Sequence, residues 1–137
     1  MNIALLAHEK KKELMVQFCM AYSAVLARHN LLSSSTLSKT ITENTGLNVI
    51  EVLSFSGNAE EQIASRVSCE EIDVLLFFRD PQQIELPEKS DKTGLLRLCD
   101  VHNIPVATNT ATAEVIVLAL ERGDLDWIEY NKSDKNK

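Results

Sequence analysis

Short apolar runs alternate with helical apolar spacing along the whole chain. Residues 3–7 form a continuous apolar run, as expected for a strand covered on both faces. Over residues 10–28, Met15, Phe18, Tyr22, Val25 and Leu26 recur at steps of three and four, which predicts a helix. Residues 30–34 form a short second strand. A polar helix follows to Thr45, with Gly46 as its stop. Residues 49–53 read as a third strand and 56–58 as a turn. A helix over 59–68 begins at Asn58, with Glu61 placed to complete a capping pair. Residues 72–78 are the clearest buried strand, ended by Arg79-Asp80-Pro81. A loop over 82–90 leads to a helix from about Asp91 carrying Leu95, Leu96, Leu98 and Val101. Residues 104–109 are a fifth strand, 112–121 a last helix stopped by Gly123, and 131–137 a polar, frayed tail.

Five strands separated by helices imply one α/β domain over residues 1–130, a doubly wound parallel sheet with helices on both faces. In such sheets ligands bind outside the carboxyl ends of the strands. Attention therefore falls on His8, the hydroxyl run 33–38, residues 54–60, Arg79 to Pro81, and Thr108-Asn109.

Composition narrows the class. With 137 residues, 45% apolar and 25% charged, the chain can bury a core without staples. A net charge of −6 disfavours nucleic acid and acidic membranes as general partners. No stretch approaches the ~20 apolar residues that span a bilayer, and the apolar start is too short for a signal segment. Cys19, Cys69 and Cys99 have neither metal-ligand nor CxxC spacing, so they read as partly buried thiols in a reducing compartment. A cytoplasmic protein is expected.

The strand ends gather a suggestive mixture. His8 ends the first strand and Lys12 lies four positions on, so both can face a pocket mouth. Ser33-Ser34-Ser35-Thr36 lies at a strand-to-helix junction, where hydroxyls and free amides hold phosphate or simply cap the helix. Glu60 opens the 59–68 helix, where a carboxylate complements the dipole or acts as a base. Asp80 follows the buried strand; Asp91 and Arg97 start and fill the next helix. Three carboxylates, three cations counting His8, and a hydroxyl cluster suit binding a small phosphorylated compound and moving a proton on it.

Three segments carry a more specific likeness: Asn2 to Lys12, Ile72 to Pro81, and Leu95 to Asn109. Read in one register over residues 1–128, they resemble methylglyoxal synthase. The resemblance implies a flavodoxin-like, doubly wound fold and a homohexamer. It implies conversion of dihydroxyacetone phosphate to methylglyoxal and phosphate through an enediolate, with neither metal nor organic cofactor. It carries His8, Lys12, Asp80, Asp91, Arg97 and Asn109 over as pocket-region residues.

The phosphate and chemistry motifs depart from the family's. Its phosphate turn Thr-Gly-Thr-Thr-Gly reads Ser34-Ser35-Thr36-Leu37-Ser38. Its Ser-Gly-Pro-x-Gly-Gly-Asp reads Ser54-Phe55-Ser56-Gly57-Asn58-Ala59-Glu60, with Glu60 on the base position, one methylene longer. Its Pro-His-x-Pro-Asp reads Pro87-Glu88-Lys89-Ser90-Asp91, with Glu88 where the histidine would stand. A carboxylate displaced by about an ångström can cost on the order of a hundredfold in rate. A carboxylate in place of a neutral imidazole opposes a developing enediolate. Two functions follow. One is a lyase with Glu60 as base, Asp80, Asp91 and Glu88 beside it, and His8, Lys12, Ser34, Thr36, Ser54 and Arg97 on the phosphorylated substrate. The other is a catalytically impaired relative that binds a phosphorylated metabolite or nucleotide as a sensor.

Overall fold

A computed structural model describes residues 1–52, 58–83 and 94–135. Its strands are β1 (Asn2–Ala7), β2 (Asn30–Ser33), β3 (Val49–Glu51), β4 (Val74–Phe78) and β5 (Val106–Ala107), all parallel in the order β3-β2-β1-β4-β5. The helices are α1 (Lys12–Ala21), α2 (Ser23–Leu26), α3 (Ser35–Thr45), α4 (Ala59–Ser68), α5 (Leu95–Val101), α6 (Thr110–Arg122) and α7 (Trp127–Lys135). The doubly wound parallel sheet is the one the apolar pattern implies. Flavodoxin itself has the order 2-1-3-4-5; here it is 3-2-1-4-5, and the direction of winding reverses between β1 and β4.

Alternation along the strands sorts the core into two layers. Ile3, Leu5, Val74, Leu76 and Phe78 face α1, α2, α3 and α6, and the Phe18 ring meets Phe78 edge-on at 5.5 Å. Ala4, Leu6, Leu75 and Phe77 face α4 and α5 through Ile63, Val67, Leu95 and Cys99. Each large apolar side chain so buried contributes ~1.5–3 kcal/mol, which is why β1 and β4 read as unbroken apolar runs.

Several boundaries differ from those expected. The helix over 10–28 is three pieces: a 3₁₀ turn at Glu9–Lys11, then α1, then α2. Tyr22, at φ −113° and ψ 25°, separates the last two and turns Val25 and Leu26 back into the core. The fifth strand shrinks to Val106–Ala107 because it lies at the sheet edge and Pro105 has no N–H to give; the Pro105 carbonyl still accepts from Leu75 at 3.0 Å. The last residues are not frayed from 131. Helix α7 runs to Lys135, held where Lys132 Nζ meets Asp73 Oδ1. Gly46 and Gly123 sit at φ 77° and 81° as the stops of α3 and α6, a backbone that L side chains avoid. Cys19 and Cys99 are buried, whereas Cys69 is exposed. Burial pushes the Cys19 thiol up to about 12, so it stays protonated and inert. The stretch of the third strand beyond Val52 and the turn at 56–57 lie outside the described residues.

Candidate active site

His8 leaves the carboxyl end of β1 where the winding reverses, and its backbone continues the ladder by donating to Phe78 O at 3.0 Å. The imidazole turns across to β4. Its Nδ1 accepts the Asp80 backbone N–H at 2.7 Å, and its ring stands edge-on to Phe77 with centroids 5.2 Å apart. An amide donor on Nδ1 leaves the neutral ring's proton on Nε2. Burial pulls the His8 pKa below its ordinary value, and the Arg79 charge adds to the effect. The Glu60 and Asp80 carboxylates pull the other way without overcoming it. His8 is thus a neutral donor through Nε2 at neutral pH.

Asp80 is 4% exposed. Its Oδ1 accepts the Gln82 N–H at 3.0 Å in a turn, whereas its buried Oδ2 has no hydrogen-bond partner. An orphaned buried carboxylate oxygen is costly, and such groups concentrate where a site awaits a donor.

Glu60 sits in the first turn of α4. Asn58 Oδ1 caps that helix by accepting from Glu61 N–H at 2.9 Å, as the capping pattern predicts. The cap leaves the Glu60 carboxylate half-buried within electrostatic reach of His8.

The β2–α3 junction carries the hydroxyl run. Ser34 caps α3, its Oγ accepting from Leu37 N–H at 3.3 Å. First-turn amides have no intrahelical acceptor, and a helix start of this kind suits an anion. Thr36 Oγ1 accepts from Lys12 Nζ at 3.4 Å, and Lys12 pairs with Glu9 at 2.9 Å. Lys12 escapes the repulsion expected of a cation at a helix start through those two partners. Ser33 and Ser38 point elsewhere. Buried Ser33 donates to Leu5 O at 2.7 Å, bracing β1 to β2, and buried Ser38 donates to Ser35 O at 3.0 Å.

His8, Glu60 and Asp80 therefore meet at the β1/β4 reversal, while Lys12, Ser34 and Thr36 meet one strand over. Arg97 lies on the exposed face of α5, and Asn109 caps α6 by accepting from Thr112 N–H at 2.9 Å. Ser54, Glu88 and Asp91 lie outside the described residues. Arg79, singled out at the strand ends but given no role in the sequence, bears on His8 through its charge. Its signal was its place, a lone cation between a buried strand and Asp80-Pro81. Among the described residues no three His, Cys, Asp or Glu side chains are grouped to hold a metal ion, and no helix is long and apolar enough to cross a membrane.

No family model matches the chain. Curated proteins do. A methylglyoxal synthase of Caldicellulosiruptor saccharolyticus is 49% identical, the alignment covering 98% of this chain and 100% of the relative. One of Clostridioides difficile is 41% identical over 100% of this chain and 99% of its own. The crystal structure of methylglyoxal synthase from Elizabethkingia anophelis superposes with a TM-score of 0.73 at 36% identity, covering 85% of this chain and 76% of that one.

Proposed function

The chain belongs to the methylglyoxal synthase family, and from that premise we propose that it is a lyase converting dihydroxyacetone phosphate to methylglyoxal and phosphate. The observation that carries this reading is the near full-length identity of 49% to a protein of that name.

The geometry supplies a route. Lys12 Nζ, Thr36 Oγ1 and the first-turn amides of α3 hold the phosphate as charge-assisted donors. The Glu60 carboxylate takes a proton from the carbon beside the substrate carbonyl. The electron pair moves onto the carbonyl oxygen, where the neutral Nε2–H of His8 stabilises the enediolate. The enediolate then expels phosphate by breaking the carbon–oxygen bond, and the enol left behind tautomerises to methylglyoxal. Asp80 holds the His8 ring through its own backbone amide, and its free Oδ2 accepts from a substrate hydroxyl. Glu88, Asp91, Ser54 and Arg97 complete the site in this reading, with no metal or organic cofactor. The family resemblance further supports a cytoplasmic homohexamer whose partner is a small phosphorylated metabolite or phosphate, with neither nucleic acid nor membrane involved.

The test is direct. Purified protein is incubated with dihydroxyacetone phosphate while methylglyoxal and free phosphate are measured. Product above background, abolished by Glu60→Gln, supports the lyase. No product refutes it, and a thermal shift with phosphate in that case identifies an anion-binding relative instead.

A further inference from the structure

The amino ends of the strands carry a second feature, independent of the lyase reading. A cavity of about 810 Å³ opens there, between the loops that follow α4 and α5 and the inner face of α7. Its volume falls within the ~300–1,000 Å³ of small-molecule sites. It lies one strand length from the candidate active site, roughly 20 Å at 3.3 Å per residue. One wall is apolar, with Ile104 and Trp127; Trp127 is the chain's single tryptophan.

The polar wall is mainly acidic, with Glu70, Glu71 and Asp73 beside His102 and Lys132. Arg66 pairs with Glu71 at 3.4 Å and His102 Nδ1 lies 4.0 Å from Glu70, so the Asp73–Lys132 pair is the one a ligand would have to open. Helices α4 and α5 both end there, directing their negative ends toward the space. Asp73 is the deepest of these groups, at 4% exposure. Its Oδ2 accepts the Asn2 backbone N–H at 2.7 Å, and its Oδ1 meets the Lys132 ammonium, reached from α7 by a half-exposed side chain. The cavity thus already holds an alkylammonium, the chain's own, with its charge on a buried carboxylate and its methylene stem along the opening.

We propose that this cavity is a binding site for a small organic ammonium ion, which takes the place of Lys132 on Asp73 and loosens α7. The fit is chemical. A primary ammonium supplies the charge that Asp73 needs, an attached apolar body packs against Ile104, and the Trp127 face attracts a cation. A neutral or anionic ligand of the same size cannot take the place of the Lys132 ammonium on Asp73.

The test is a titration followed by Trp127 emission. Butylammonium chloride is the probe, with 1-butanol as its neutral counterpart, sodium butyrate as the anion, and ionic strength held constant. Wild type should show a saturable change with butylammonium alone. Lys132→Met should bind it at least about tenfold more tightly, because a tethered competitor acts at an effective concentration near the millimolar range. Asp73→Asn should abolish binding; if that variant does not fold, Lys132→Met decides the matter alone. Absence of a saturable response in Lys132→Met, or an equal response to 1-butanol, overturns the proposal.

Discussion

Replacing His8 separates what its two ring nitrogens do. Nδ1 accepts the Asp80 amide at 2.7 Å beside a residue only 4% exposed. His8→Ala leaves that buried N–H without an acceptor, at about 1–3 kcal/mol. It also removes the edge-on contact with Phe77, at ~0.5–1.5 kcal/mol. The expected loss is about 1.5–4.5 kcal/mol. His8→Asn is gentler, since its Oδ1 falls close to the position of Nδ1 and can still accept the amide. The two variants should differ by about 1–3 kcal/mol. With a urea m-value of about 2 kcal/mol/M, that is a midpoint difference near ~1 M. Activity should not follow the same order. Both variants lack Nε2–H, and losing one donor to a developing oxyanion costs about 10²–10³ in kcat. Equal urea midpoints would refute the bond's role in stability, and full activity in His8→Asn would refute the role of Nε2.

Glu60→Gln should lower kcat about 10²–10⁴-fold, the usual contribution of a general base, with the urea midpoint little changed. Lys12→Met should raise KM about 10-fold or more through loss of a charge-assisted contact to phosphate, and should flatten the dependence of KM on salt. Ser35→Gly should tighten inorganic phosphate binding by calorimetry while costing ~0.5–1 kcal/mol of stability. The pH dependence has a definite sign. The pKa of His8 is lowered by burial and then by Arg79, so in the folded state it binds fewer protons than an unfolded histidine titrating near 6.5. The associated stability is present above about pH 6.5 and lost as pH falls through the folded value. Urea titrations between neutral and mildly acidic pH should show this slope, reduced in His8→Asn; His29, lowered mainly by its own burial, contributes in the same direction.

Periodicity and local hydrogen bonding decide most of the elements, so they are legible in the chain. The runs at β1 and β4 are apolar because both faces are covered, and the stops at Gly46 and Gly123 need only φ > 0. Asn58 and Asn109 cap helices because each precedes a free first-turn amide. The misjudged places are those where a distant partner decides. Whether Lys132 lies in a frayed tail or a helix depends on Asp73, 59 positions earlier, and no local rule brings the two together. The same holds at the site. The resemblance marked His8 and Asp80 as pocket residues, but not that an Asp80 amide selects the His8 tautomer. Nor did it indicate that Arg79 would weigh on that ring.

The turn that lost its glycines shows what such a change costs. No residue from 34 to 38 has positive φ; among the described residues only Glu70 and Asn103 do so without being glycine. Ser34 enters α3 extended at φ −67°, ψ 161°, and residues 35–38 follow as an ordinary first turn. Serine therefore sits at 35 and 38 without backbone strain. Ser38 meets its burial by donating to Ser35 O, and Leu37 spends its side chain in the core beside Ile41. Folding bears little of the substitution. In the proposed function its burden falls on the substrate phosphate, which would meet a Cβ at residue 35 and find no hydroxyl at residue 37. The Lys12–Thr36 pair is what remains to offset that loss. A stable α3 is thus no guide to phosphate affinity, and the two need separate measurement.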